Sequence, residues 1–292
     1  MSGEDRTLDR PDGARLHYHV DPPAADSGPA VLFIHGLGSN WTRFRRLSQE
    51  SVFRAYRRII PDLRGHRDST ARRGIDVDGF VEDLNAILSQ EGVSRAFVVG
   101  HCLGANIAAR FWERHSSRVS GMVLIEPFVA ERIPAVWRML YAVARPGLLA
   151  VQALVLAANA LGLRRRKFRR IDFAAYDEWV RPRLKNRFNV IRLMGPLLDL
   201  QCMPSASYLA SFRVLFDYRP PWADIAAPVL VLMARQGGVL LRGGALNPFP
   251  RPNHAVVEIE ASHFVLTDNR EGVVRAIHTF LETLTKEPGW ND

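Results

Sequence analysis

The chain is 292 residues long, enough for one large domain or two small ones. Its 47% hydrophobic and 24% charged residues exclude disordered, collagen-like and coiled-coil chains and supply a sizeable core. The formal charge of +9 is carried almost entirely by arginine, since Lys167, Lys185 and Lys286 are the only lysines; it raises nucleic acid, anionic lipid and acidic substrates as partners, although genome composition gives the same excess. Cys102 and Cys202 are too few for a disulfide framework and lack zinc-site spacing. The polar N-terminus, residues 1–10, lacks the apolar stretch of a secretory signal, so the expected setting is reducing and cytoplasmic.

In chain order, Asp12-Gly13 between two short strand-like runs, 7–9 and 16–20, is a hairpin signal. Runs 30–35, 58–61, 96–100 and 122–125 are rich in Val, Ile, Leu and Phe and have the length of central strands. Phe80, Val81, Leu84, Ile87 and Leu88 repeat at helical spacing between them, which predicts a parallel sheet covered by helices. From residue 127 to 227 the alternation gives way to helical patterns, with breaks expected at Pro146, Gly147, Gly195, Pro196, Pro220 and Pro221. The apolar run 147–163 stands at the lower limit for a membrane span and reads as a buried or interfacial helix. Strand character resumes at 228–233 and 255–259, followed by an amphipathic helix carrying Val273, Val274, Ile277, Phe280 and Leu281.

Gly100-His101-Cys102-Leu103-Gly104 follows one of these strands and opens the helical run 105–115. A chain that turns sharply from strand to helix strains its middle residue, so the residues two positions to either side must be small; both are glycine. The turn lifts the Cys102 side chain above the sheet, beside the free N–H groups and positive dipole end of a helix. That setting favours a thiolate.

This segment resembles the nucleophile elbow of the α/β-hydrolase superfamily, with Cys102 at the position where most members carry serine. In the same order, His35-Gly36-Leu37-Gly38 resembles the family's oxyanion loop, Pro61-Asp62-Leu63-Arg64-Gly65-His66 its next strand-end turn, and Ala261-Ser262-His263-Phe264 its late histidine loop. The resemblance spans residues 14–285 and implies an α/β-hydrolase fold, a mostly parallel central sheet flanked by helices. Residues 1–126 and 228–292 would form the core, and 127–227 an inserted helical cap.

The resemblance assigns Cys102 as nucleophile and His263 as its base, an ion pair near neutrality. Backbone N–H groups of Leu37 and Leu103 would form the oxyanion hole. Many relatives place the acid just after the strand at 228–233, but Ala234, Arg235, Gln236, Gly237 and Gly238 follow here, and no carboxylate lies between Asp224 and Glu258. Glu126, at the end of an earlier strand, is the remaining candidate; a Cys-His pair without an acid also serves, because a thiol needs less help than a hydroxyl. His101 either lines the substrate pocket or packs beside it. Asp62 and Arg64 belong to the structural turn, and Cys202 reads as a small buried side chain.

The expected activity is hydrolysis of an ester or thioester of a hydrophobic acyl substrate through an acyl-cysteine. Acyl transfer from the same intermediate and a non-catalytic ligand-binding role stand as alternatives. Trp137, Met139, Tyr141, Trp179, Phe188 and Met194 of the cap are expected to build an acyl pocket over the elbow. Arginine clusters at 164–170 and 181–192 suit an anionic carrier, a coenzyme A phosphate or peripheral contact with anionic lipid headgroups, and equally a solvated basic face. No nucleic-acid motif, phosphate-cradling glycine loop, dinucleotide fingerprint or metal motif is recognisable, so no cofactor or metal is implied.

Overall fold

The computed structural model describes residues 3–24, 29–163, 165, 167–183, 195–235 and 248–285. Among the described residues eight strands form one sheet in the order β1-β2-β4-β3-β5-β6-β7-β8. They are β1 (Glu4–Asp9), β2 (Arg15–Asp21), β3 (Ala30–Ile34), β4 (Arg57–Pro61), β5 (Ala96–His101), β6 (Val119–Ile125), β7 (Val229–Ala234) and β8 (His254–Ile259). The hairpin expected at Asp12-Gly13 joins β1 to β2 with Gly13 at φ 82°. β2 runs antiparallel to β4, and the pairings from β4 through β8 are parallel.

Alternation along the strands sorts side chains to two faces. Leu32, Ile34, Val98 and Leu124 pack beneath α2 (Val77–Gln90) and α3 (Leu103–His115). Val31, Phe33, Val99 and Val123 face Phe44, Leu47 of the short helix α1 (Arg45–Ser48) and the C-terminal helix Arg270–Thr285. The periodic apolar residues Phe80, Leu84, Ile87 and Leu88 are the buried stripe of α2, whose first turn is capped by Asp76 accepting from Gly79 N–H at 2.7 Å.

Register aligns the strand ends that matter. Ile34 pairs with Gly100, His101 with Ile125, Ile125 with Leu232, and Ala234 with Ile259, so β3, β5, β6, β7 and β8 finish along one edge. The chain leaves β3 for β4 on one side and returns to β5 on the other. That reversal opens a crevice at the carboxyl ends of the strands, where open α/β sheets bind ligands.

Between β6 and β7 the described chain is helical: α4 (Ala135–Ala160), α5 (Phe173–Val180), α6 (Pro196–Cys202) and α7 (Ser205–Asp217), with short 3-10 turns. The break expected at Pro146 and Gly147 does not occur, because α4 runs through both. Proline forgoes one backbone bond, and contacts to α7 from Arg145 and Gln152 hold the helix on either side of it. No residue of α4 is buried, which excludes the buried reading of the run 147–163. Gly195 and Pro196 do mark a boundary, as N-cap and first residue of α6.

Candidate active site

Cys102 sits at φ 52°, ψ −114° between β5 and α3. Among the described residues only Arg67, Cys102 and Glu126 combine a side chain with positive φ, and two of those three meet at this crevice. The flanking glycines are sterically obligatory. A Cβ on Gly100 would lie 2.5 Å from Gly104 O, and one on Gly104 would lie 2.6 Å from the carbonyl carbon of Ile34. The elbow is pinned from below by Cys102 N–H donating to Ile125 O at 2.9 Å.

His263 arrives from the loop after β8. Its Nδ1–H donates to Glu126 Oε2 at 3.1 Å, which leaves Nε2 as the ring nitrogen available to Cys102, with which His263 shares the cavity lining. Burial alone would disfavour the protonated ring, but the bonds and charges of Cys102 and Glu126 outweigh it and lift His263 to about 10. Glu126 is fixed at both oxygens, since Oε1 accepts from the Ala234 N–H at the end of β7. The position after β7 that lacks an acid is thus supplied from the neighbouring strand end.

His35 shapes the loop after β3. Its Nε2 accepts from Leu63 N–H at 3.0 Å, so the proton resides on Nδ1, which donates to Gly36 O at 2.8 Å. Burial holds this ring neutral, well below the usual histidine range. Because a trans peptide sets its C=O and N–H in opposite directions, turning Gly36 O onto His35 turns Leu37 N–H the other way. Among the described residues neither Leu37 N–H nor Leu103 N–H has a hydrogen-bond partner, and both residues flank Cys102. A Cβ on Gly36 would lie 3.2 Å from Cys102 Cβ, so this loop touches the elbow.

A cavity of about 310 Å³ opens above Cys102, His263 and Glu126. Phe128, Phe173, Leu198, Phe212, Leu215 and Phe216 give it an apolar wall. The wall differs from expectation. Trp137 and Met139 lie on the outer side of α4 and are exposed, Trp179 is half exposed, and Tyr141 stacks behind the wall on Phe216 at 4.2 Å. Phe188 and Met194 lie outside the described residues, as do Gln236, Gly237, Gly238, Arg164, Arg166 and residues 184–192 of the arginine clusters.

His101 lines the cavity and is buried, with Nε2–H 3.4 Å from His263 O; burial and the charge of His263 hold it neutral, well below the histidine range. Asp62 accepts from Trp41 N–H at 2.9 Å and bonds His17 at 2.8 Å, while Arg64 pairs with Asp83 and Asp12. Both therefore serve the turn. His17, Asp62 and Asp68 bring ligand atoms within 4.8 Å of one another, but the oxygens of Asp62 are already engaged by His17 and Trp41. Cys202 is partly buried beside Leu198 and Phe173, and burial pushes its thiol up to about 11.

Two cavity residues had no motif to announce them. Arg43 pairs with Asp177 and lies 4.3 Å over the Phe173 ring. Asp199 packs its carboxylate against Gly38, and burial pushes it up to about 7 against the pull of Arg43. Its one sequence signal is an acid inside the apolar stretch Pro196-Leu197-Leu198-Asp199-Leu200.

A protein-family model described as alpha/beta hydrolase fold matches residues 29–269. The chain is 31% identical over 125 residues to Epoxide hydrolase B of Mycobacterium tuberculosis, a stretch covering 41% of this chain and 35% of that protein. The match thus spans little more than a third of the relative's length. Among solved structures, a hydrolase from Pseudomonas aeruginosa PA01 superposes with a TM-score of 0.69 at 19% identity, covering 96% of this chain and 99% of that one. The esterase EaEST of Exiguobacterium antarcticum superposes with a TM-score of 0.64 at 16% identity, covering 94% and 98%. These two likenesses establish the fold.

Proposed function

This chain belongs to the α/β-hydrolase fold family, and we propose that it is a hydrolase cleaving the ester or thioester bond of a hydrophobic acyl substrate through an acyl-cysteine. The observation that carries the reading is the bond between His263 and Glu126 beside the strained Cys102 elbow, with all three residues lining one apolar cavity. The helices between β6 and β7 act as a cap that supplies Phe173, Leu198, Phe212, Leu215 and Phe216 of that cavity's wall.

In the proposed cycle Cys102 reacts as a thiolate beside a protonated His263. Sγ attacks the acyl carbon, and the carbonyl pair moves onto oxygen, which accepts from Leu37 and Leu103 N–H. Collapse expels the alcohol or thiol, which takes the Nε2 proton of His263 and leaves a thioester on Cys102. Neutral His263 then removes a proton from water as the water oxygen attacks the thioester. The second collapse releases the free acid and returns the thiolate and imidazolium. Glu126 holds the ring in orientation and balances its charge in both steps.

Epoxide opening, the activity in the name of the mycobacterial relative, fits this site less well. A thiolate that opens an epoxide forms a thioether, which has no carbonyl for water to attack, and turnover stops there. Acyl transfer uses the same thioester and is favoured where a second alcohol or amine, rather than water, fills the apolar cavity.

Intact mass spectrometry during turnover of nitrophenyl esters and acyl thioesters of graded chain length tests the proposal. The expected result is an acyl adduct on Cys102 that disappears with product release, and loss of hydrolysis in Cys102→Ala. Hydrolysis surviving that substitution, or no adduct across the series, overturns the acyl-cysteine. Competing alcohols and amines distinguish transfer from hydrolysis by product.

A further inference from the structure

Helix α4 reverses the amphipathic order of a helix on a water-facing surface. Such a helix turns its apolar stripe to the core and its polar residues to solvent. In α4, Arg138, Arg145, Gln152 and Asn159 recur every seven residues and so share one side. That side faces protein: Arg145 bonds Asp217, and Gln152 accepts from Arg213, both on α7. Tyr141 on the same side stacks on Phe216 and donates to Asp217 at 2.9 Å. The opposite side carries Val136, Met139, Val143 and Leu154, and leaves Val143 76% and Leu154 70% exposed.

From residue 132 to residue 171 the sequence holds no Asp or Glu, while arginine recurs. Arg165, Lys167, Arg169 and Arg170, which follow α4, are exposed. An apolar face of this size, followed in the chain by a basic stretch with no acid of its own, complements the acyl chains and phosphates of an anionic lipid surface. We propose that α4 lies in the plane of an anionic membrane, its outer side among the acyl chains and its basic flank at the headgroups.

The helix is long and apolar enough to cross a membrane. Its docking on α7 from Tyr141 to Gln152 argues for the in-plane arrangement, because one side of its middle stretch is committed to protein. α7 also carries Tyr208, Phe212, Leu215 and Phe216 of the cavity wall, so lipid surface and cavity are separated by a single helix. Membrane binding by α4 does not depend on the chemistry proposed for Cys102.

Co-sedimentation of the full chain with vesicles of phosphatidylcholine, alone or mixed with phosphatidylglycerol, tests this. The expected result is binding to the mixed vesicles that weakens in high salt and falls at least about tenfold in the double variant Val143→Gln, Leu154→Gln. Its melting temperature and its activity on a short, soluble ester should match the parent, which separates lost docking from lost fold. Trp137 fluorescence should shift to the blue on binding, and Trp137→Phe should remove that shift. A parent that stays in the supernatant with both vesicles, or a double variant that binds as tightly as the parent, overturns the proposal. So does a dimer in light scattering that the double variant dissolves while the parent ignores vesicles, since a second copy then covers the face.

Discussion

Glu126 and His263, 137 residues apart in sequence, meet through a 3.1 Å bond between Oε2 and Nδ1–H. The other oxygen of Glu126 is held by Ala234 N–H, so the carboxylate accepts on both sides. An amide has one oxygen and one NH2 group and satisfies only one of these donors. Glu126→Gln should therefore keep the fold and lower kcat/KM by about 10² to 10⁴. It also removes one of the charges that lift His263 to about 10, so the alkaline limb of the pH–rate profile should move to lower pH. A profile with an unchanged alkaline limb would place the acid elsewhere.

The same shift sets a sign for stability. Below about 6.5 His263 is protonated in folded and unfolded chains alike, and its pairing with Cys102 and Glu126 counts in full. Above that the unfolded chain releases the proton while the folded chain keeps it until about 10. The melting temperature should fall between these values, and the fall should be shallower in His263→Gln, measured by thermal denaturation across pH.

Asp199 sits against Gly38 at the cavity wall with a carboxyl pushed up to about 7 by burial. It is neutral below that value and charged above it, so binding of an apolar acyl chain should weaken as pH rises through 7, seen as a rising KM. Asp199→Asn should keep KM flat across this range. Folding stability has the matching sign. An acid whose folded form holds its proton more tightly loses stability as pH rises from about 3.8 to 7, so the substitution should stabilise at pH 8 and not at pH 3. A KM that rises equally in both proteins removes Asp199 from this role.

Two glycines in helices should respond oppositely to alanine. In Gly104→Ala the new methyl meets the main chain of Ile34 and His35, which β3 holds in place, and the cost should be about 3 kcal/mol or a failure to fold. In Gly147→Ala the methyl meets nothing within 4 Å, and the gain in helix propensity should stabilise by about 0.5 to 1 kcal/mol. Denaturant midpoints of the two variants measure both.

Sequence reasoning reached the sheet and the elbow because their signals are local. A β-rich run such as Val31, Leu32 and Phe33 reads as a strand wherever it packs, and Gly100 and Gly104 mark a turn whose sterics lie within five residues. The boundary of β6 was harder to read: it begins at Val119, and Ser120 and Gly121 interrupt the apolar run, Gly121 because a Cβ there would press on the Phe97 ring at 3.0 Å. The helices after β6 were legible as helices but not in orientation. Trp137 and Met139 read as pocket residues because apolar side chains normally turn inward, and α4 turns them outward.

What the chain's own order determined is the strand-to-helix turn at Cys102, the glycines that permit it and the alternation that buries the sheet on two faces. These follow from sterics and hydrophobic period within a few residues. Only the tertiary structure decided that Glu126 reaches His263, that His35 turns Leu37 N–H away from itself, that Asp199 covers Gly38 and that α4 presents its apolar side to the outside. Each depends on groups distant in sequence coming within a few ångströms. The parallel register that ends β3, β5, β6, β7 and β8 on one edge, and the docking of α4 on α7, set those distances.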